Sequence, residues 1–467
     1  MQHSITYKSV PVKTASLHFL QHIPRRATVH VGIDIGKNKI FVVARWSPVR
    51  SKRIVYENPW FVENPDELPV LVEKLVKIKR HHTLLIGFES TGSYGDPLRQ
   101  SLADAGLVVH QVRTKLTHDY AEIFDGAPSQ HDGKDAAVIA DLLSQGRSTL
   151  WDFPNATDEE REMSYLVTKL IDSHKELERL QGRLEGLSSR HWPGITKILP
   201  LTSLTLLKLF HHYGGPGTLR ADRDAAANIR RFSCGRIDGE RAERVIRCAS
   251  STCGVRQGLW EFQHVKDVAT AMLDIHQGTK RYKKRLAELI GASCVELQRL
   301  SKILGVATAA VVWCRIGHPA RFHCADAWVK SMGLNLVENS SGEYQSDVRI
   351  SKRGDSETRR WLFLSALRWV QEPEVKPWYQ RKKMQTGVRI RGEATKRTGG
   401  KAVIAVLRKL MKGIWHALVR EAPFDPKILF QEESSQAKDR TAGRKNFRKR
   451  NIKSKKSRAS QVTRTSQ

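Results

Sequence analysis

The first regular pattern along the chain is an alternation. In Val29–Gly36 (VHVGIDIG) apolar residues take every second position, which predicts a strand with one face in a core. Ile40–Trp46 (IFVVARW) follows after a short turn as its hairpin partner, and Thr83–Glu89 (TLLIGFE) reads as a short buried strand. Between them, Pro65–Arg80 (PDELPVLVEKLVKIKR) has the spacing of an amphipathic helix, with Asp66 as its cap. After Tyr94, DPLRQSLADAG predicts a helix closed by Gly106, LVVHQV a further strand, and Lys134–Leu143 a helix. A hairpin followed by alternating helix and strand is the order of an α/β domain over residues 29–150, preceded by a polar leader arm, 1–28.

The period then changes. Met163, Leu166, Leu170, Ser173, Leu177, Leu180, Leu184 and Leu187 keep a strict 3-4 spacing, the seam of a coiled coil. A second seam runs through Val265, Val268, Met272, Ile275, Thr279, Tyr282, Leu286 and Leu289. Together they predict a long antiparallel helical hairpin within 151–296, with the inserted segment 191–256 capping one end. Seam length does not choose between an intramolecular hairpin and a dimerisation arm. Residues 297–425 form a third, mostly α unit. In it LSKILGVATAAVVWCRIG has the helix–Gly turn–helix look of a hairpin that grips a phosphate backbone, and a helix opens at Asp355. Residues 426–467 are a basic tail; beyond Gln431 it holds 12 Lys and Arg against 3 acids, too charged to build a core without a polyanion.

Charge narrows the function. The 467 residues hold 79 Lys and Arg against 48 Asp and Glu, a net +31, which points to a polyanionic partner through counterion release. No apolar run approaches the ~20 residues of a membrane span, and the start of the chain lacks the apolar core of a secretory signal. Six cysteines without a C-x-x-C make no disulfide framework. Cys314, His318, His323 and Cys324 lie close in sequence but match no structural zinc spacing. The expectation is a cytoplasmic protein that handles nucleic acid.

Two constellations carry chemistry. Asp34 sits between apolar neighbours in the first strand, Glu89 ends TLLIGFE before STGSYG, and Asp132 and Asp135 lie at i and i+3 on one helix face. An acid on the first strand, one at a later strand end and a pair opening a helix are the arrangement a divalent-metal site for phosphodiester chemistry needs. Downstream, Ser340 and Ser341 precede Gly342 in a hydroxyl-rich loop, followed by Arg349, Lys352 and Arg353, with Arg359 and Arg360 one turn into a helix. Clustered guanidinium groups beside a helix N-terminus bind phosphate, and a serine there can attack a phosphodiester.

GIDIGKNK, FESTGSYG and HDGKDAAVIADLL, then LGVATAAVVWCRIG, SSG and ISKRGDSETRRWLFLSA, in this order, resemble the DEDD-type insertion-sequence transposases, which include pilin-gene invertases and bridge-RNA-guided recombinases. The resemblance spans about 29–425. It implies a ribonuclease-H-like domain of the Holliday-junction-resolvase kind, with Asp34, Glu89, Asp132 and Asp135 holding Mg²⁺ or Mn²⁺. It implies a catalytic serine in the C-terminal transposase domain, mapped to Ser341 before the glycine, with Ser340 in reserve, forming a covalent link to cleaved DNA. A structured RNA from the element would specify the DNA, and homodimers would pair into tetramers in a bacterial nucleoid. Glu338, Glu343 and Asp347 make the serine loop more acidic than a DNA-facing loop should be. Two other readings compete: a metal-only nuclease or junction resolvase without a serine intermediate, and an actin-like ATPase or sugar kinase, for which no second phosphate loop exists.

Overall fold

Alternation in the first strand becomes a two-faced layer. The computed structural model describes residues 23–24, 26–47, 54–57, 59–90, 92–126, 131–151, 157–337, 349–386, 389–390, 393–394 and 398–431. It divides into two units, residues 1–158 and 159–467. In the first, chain order is β1 (Thr28–Ile35), β2 (Lys39–Trp46), β3 (Val55–Tyr56), β4 (Trp60–Glu63), α1 (Leu68–His81), β5 (Thr83–Glu89), α2 (Asp96–Asp104), β6 (Val109–Val112), α3 (Thr114–Asp125), α4 (Asp132–Ser144) and β7 (Thr149–Leu150). The sheet runs β3-β2-β1-β5-β6-β7, with β4 also paired to β2. β2 is antiparallel to β1, β5 and β6 run parallel to it, and β7 is antiparallel to β6. Val29, Val31, Ile33 and Ile35 face one core with Leu71, Leu75 and Ile78 of α1 and Leu98 and Leu102 of α2. The intervening His30, Gly32 and Asp34 face the opposite side, where α4 lies.

The expected hairpin and helix–strand alternation are present in this mixed α/β unit. Additional to expectation are β3, β4, β7 and α3. Two- and four-residue strands are too short to show a period; α3 does carry an apolar stripe, Leu116, Tyr120 and Phe124 at i, i+4 and i+8, packed beside Ala121 on Val138 and Leu142. α1 starts at Leu68, with Glu67 instead of Asp66 in the cap position and no side-chain cap bond; Pro69 in the first turn fixes where it begins. α4 starts at Asp132, two residues before the expected Lys134, because the His131 side chain accepts from the Lys134 amide at 3.0 Å.

The second unit is mostly helical. It opens on α5 (Asp158–His191), followed by α6 (Ile195–Ile198), α7 (Leu204–Tyr213), α8 (Pro216–Ala221), α9 (Ala225–Ser233), α10 (Gly239–Ser250) and α11 (Leu259–Gly291). α5 and α11 are antiparallel: Arg285 grips Glu162 at 2.7 Å near one end, and His191 Nε2 lies 3.6 Å from Glu261 at the other. Their seam divides in the middle, at half-buried Ser173 and buried Thr279. On one side Met163, Leu166, Leu170, Leu286 and Leu289 join the C-terminal core; on the other Leu177, Leu180, Leu184, Val265, Val268 and Met272 join the inserted segment. That segment is five short helices packed around Trp192, Leu206, Phe210 and Ile229.

The remainder comprises α12 (Val295–Leu304), α13 (Val306–Ile316), α14 (Ala325–Ser331), β8 (Leu336–Val337), β9 (Arg349–Ile350), α15 (Ser356–Trp369), α16 (Lys376–Thr386), β10 (Arg389–Ile390), β11 (Glu393–Ala394), α17 (Thr398–Val419) and α18 (Pro426–Phe430). α15 opens where expected, with Asp355 accepting from the Thr358 amide at 2.6 Å. Among the described residues no helix is long and apolar enough to cross a membrane.

Candidate active site

The site begins with two glycines. Gly32 of β1 and Gly87 of β5 are register partners on the face under α4. A Cβ on Gly32 would stand 2.0 Å from the Ala136 carbonyl oxygen and 2.5 Å from the Ala140 nitrogen; one on Gly87 would meet Leu143 Cδ1 at 2.6 Å. Only glycine lets the helix lie this close to the strands. α4 answers with its own small residues, Ala136, Ala137 and Ala140, all fully buried.

This seat decides where the acids fall. Asp34 is two residues beyond Gly32 and Glu89 two beyond Gly87, so both keep the α4 face. Ile33 and Phe88 form the last registered pair, and one step further sets Asp34 beside Glu89 at the C-terminal ends of adjacent parallel strands. Above them, the first turn of α4 carries Asp132 and Asp135, one turn before the alanines that touch Gly32. All four candidate acids thus come to one corner. Thr117 of α3, itself buried, donates its hydroxyl to the Glu89 carboxylate and to the Thr114 carbonyl at 2.8 Å, which fixes Glu89. The isolated Thr117 gave no sequence signal.

Charge repulsion dominates this corner. Burial, then the carboxylates of Asp135, Asp132 and Glu89, push Asp34 up to about 7, opposed only by a backbone hydrogen bond at Ile35. Asp135 is raised first by burial and then by Glu89 and Asp132, against the pull of His131 and Lys134. The Lys134 ammonium, though buried in the same turn, points to Asp125 at 2.7 Å. Among the described residues no three His, Cys, Asp or Glu side chains are drawn together tightly enough to form a ready-made ligand shell. The quartet is therefore a loose ring of oxygen donors carrying excess negative charge. That donor chemistry fits a hard divalent cation such as Mg²⁺ or Mn²⁺ and does not fit a soft metal.

The second constellation is split. Ser340 and Ser341 lie outside the described residues, as do Glu338, Glu343 and Asp347; the structure describes the base from which their segment departs. There β8 and β9 pair antiparallel, Leu336 with Ile350 and Val337 with Arg349. The Ser351 amide donates to the Asn335 carbonyl at 2.8 Å and the Lys352 amide to Gly333 at 3.0 Å. Arg349, Lys352 and Arg353 are exposed beside it. Half-buried Arg359 and Arg360 also make contacts within the fold. Arg359 Nη1 donates to the Met332 and Gly354 carbonyls at 3.2 and 2.9 Å, and Arg360 pairs with Glu178. The α12–Gly305–α13 turn is likewise engaged: the Leu304 carbonyl accepts from Arg368 at 2.8 Å and the Ile303 carbonyl from Trp369 at 3.1 Å. In the cysteine–histidine stretch, His318 accepts from the Ala320 amide at 3.0 Å, and burial pushes the Cys314 thiol up to about 12.

Comparison with known proteins agrees with the order of these parts. Residues 31–193 match the DEDD-type IS110 family described as transposase, and residues 297–380 match the transposase IS116/IS110/IS902 family. The insertion element IS110 uncharacterized 43.6 kDa protein of Streptomyces coelicolor is 24% identical over 369 residues, covering 76% of this chain and 87% of the relative.

Proposed function

We propose that this chain, an enzyme acting on DNA whose matches are to insertion-sequence transposases of the IS110 type, cuts and rejoins strands with a divalent cation at the acid corner and through a serine–phosphodiester intermediate. The observation that carries this reading is the convergence of Asp34, Glu89, Asp132 and Asp135 at one sheet corner, with Asp34 pushed up to about 7 by burial and its three neighbours. The sheet order, three antiparallel strands followed by two parallel ones, supports a ribonuclease-H-like domain. The four carboxylates would hold Mg²⁺ or Mn²⁺, whose chemistry is to neutralise charge on the phosphate and polarise its oxygens.

Ser341, or Ser340 beside it, supplies the nucleophile. Its Oγ bonds to the scissile phosphorus as the bond to one deoxyribose oxygen breaks, and the serine proton is transferred, net, to that leaving oxygen. Attack by the hydroxyl of a second strand reverses the exchange and returns the serine, so one phosphodiester replaces another and no energy source is required. Arg349, Lys352 and Arg353 hold the phosphate backbone near the base of the serine segment. A structured RNA of the element selects the DNA, and homodimers pair into a tetramer, with the α5–α11 hairpin in the assembly; the net +31 accommodates both nucleic acids.

The test is a denaturing gel of the protein with DNA from the ends of its own element, co-purifying RNA and Mg²⁺, for wild type, Ser340→Ala, Ser341→Ala and Asp34→Asn. A protease-sensitive protein–DNA band lost in one serine variant is expected. Cleavage without any adduct, equal in wild type and both serine variants, overturns the serine step and leaves metal-dependent hydrolysis.

A further inference from the structure

The glycine–alanine seat under α4 solves one problem and creates another. Smooth surfaces allow close approach, yet they have few knobs to stop a helix rotating or sliding. The acids need both coordinates fixed, because a one-residue rotation of α4 would swing Asp132 and Asp135 away from Asp34 by about 100°.

One side chain at the other end of α4 supplies the missing constraint. Asp141 is buried in an otherwise apolar run, AVIADLL. Its Oδ1 accepts from the Tyr56 hydroxyl of β3 at 2.9 Å and lies 2.9 Å from Arg45 Nε of β2. Its Oδ2 accepts from the Tyr120 hydroxyl of α3 at 2.7 Å and from Gln145 at 2.8 Å, and Gln145 also donates to Tyr120 at 2.7 Å. Arg45 is buried as well and is the register partner of His30 on β1. The order along β1 is thus His30, Gly32, Asp34, and along α4 in the reverse sense Asp141, Ala136 and Ala140, then Asp135 and Asp132. The helix is antiparallel to the strand, with the acid corner at one end and the Asp141 cluster at the other.

We propose that Asp141, held by Arg45, Tyr56 and Tyr120, is a positioning residue that sets the rotation and register of α4 and so the spacing of Asp132 and Asp135 from Asp34 and Glu89. This rests on the reading above that the four acids bind a divalent cation. Three neighbouring elements grip one carboxylate, so sliding α4 by a turn breaks every contact at once. No other buried acid of α4 is tied to β2, β3 and α3 in this way. The carboxylate does not reach the substrate or the ion; it acts through the helix.

The experiment measures Mn²⁺ binding to the full-length chain without nucleic acid, by loss of the free-ion paramagnetic resonance signal, alongside hydrogen exchange of the β1 and β5 amides as the readout of stability. Three proteins are compared: wild type, Asp141→Asn, and the pair Arg45→Met with Asp141→Leu. Asp141→Asn strands the buried Arg45 charge and is expected to lose stability as well as affinity. The double variant removes both charges and recovers stability while leaving α4 without its register. If Asp141 positions the helix, the double variant still binds Mn²⁺ about tenfold more weakly than wild type. Wild-type affinity in a stable double variant would reduce Asp141 to a structural ion pair and overturn the proposal. Absence of Mn²⁺ binding by wild type would instead overturn the metal-site reading on which it stands.

Discussion

Asp34→Asn should make the metal-free protein more stable while removing strand cleavage. Asn keeps the volume and a polar atom but carries no charge, so it relieves the repulsion among four carboxylates. The folded Asp34 holds its proton up to about 7, whereas the usual carboxyl value is 3.8. Between these values the folded state binds more protons than the unfolded one, so stability falls as pH rises and the deficit is complete above about 7. At ~1.4 kcal/mol per tenfold change, the ceiling is about 4 kcal/mol. Asp34 is only half-buried, and solvent screening reduces the expected gain to about 1–2 kcal/mol.

Hydrogen exchange of the β1 and β5 amides in EDTA is the local assay, because urea melts of a chain with two units mix separate transitions. At pH 8 the variant should exchange more slowly than wild type by about five- to thirtyfold, and at pH 4 or below the difference should vanish. Adding Mg²⁺ should slow exchange in wild type far more than in Asp34→Asn, since an ion that binds only the folded state stabilises it. Equal or faster exchange in the variant at pH 8 would refute the picture of a repulsive acid ring.

Further outcomes follow from the same geometry. Gly32→Ala puts a methyl 2.0 Å from the Ala136 carbonyl oxygen, so α4 must move; a loss of about 3 kcal/mol or more is expected in the hydrogen exchange of the β1 and β5 amides, and unchanged exchange would show that the seat is loose. Burial, then Arg45, holds the His30 imidazole down at about 4. Over the window from about 4 to 6.5 the unfolded state binds more protons, so stability rises with pH; His30→Asn should flatten that rise by about 1–2 kcal/mol, and an acid limb unchanged in the variant would refute it. Deleting 431–467, which removes a net +9 beyond Gln431, should weaken DNA and RNA binding alike and flatten the slope of log affinity against log salt. A slope equal to that of the intact chain would mean the tail does not touch phosphate.

The legible features were those with a period or a paired chemistry. VHVGIDIG announced both the strand and its odd carboxylate, and the 3-4 spacing announced α5 and α11, while the division of their seam at Ser173 and Thr279 emerged only in the fold. The acid corner could be read because Asp34 stands out in an apolar strand, Glu89 ends one, and Asp132 and Asp135 share the first turn of a helix. β3, β4 and β7 could not, since strands of two to four residues leave no repeat, whereas the Leu116, Tyr120 and Phe124 stripe of α3 was there to be read and was passed over. Thr117 and Asp141 were invisible for a different reason: their roles arise from partners 28 and 96 residues away, Glu89 and Arg45 among them. Arg359 and Arg360, which composition offers to phosphate, also contact Met332, Gly354 and Glu178, partners that no spacing in the sequence could show.

A cluster of like charges destabilises any fold that contains it, so the surrounding structure must hold α4 where it would not settle by itself. Packing against Gly32 and Gly87 brings the helix close, and closeness alone raises the repulsion between Asp34 and Asp135. Arg45 offsets none of this directly, because its charge is matched by Asp141 at the far end of the helix. Lys134 is matched in the same way by Asp125. The buried Arg45 and Lys134 each pair with an acid outside the quartet, and, since burial and the neighbouring carboxylates still hold Asp135 raised, the pull of His131 and Lys134 on it offsets only part of the quartet's charge. Its neutral partner must come from solution, as protons below about pH 7 or as a divalent cation above it, and the two compete for the same oxygens. Cation affinity should therefore climb with pH up to about 7 and level off there, and a Mn²⁺ titration with the same midpoint at pH 6 and pH 8 would contradict that competition.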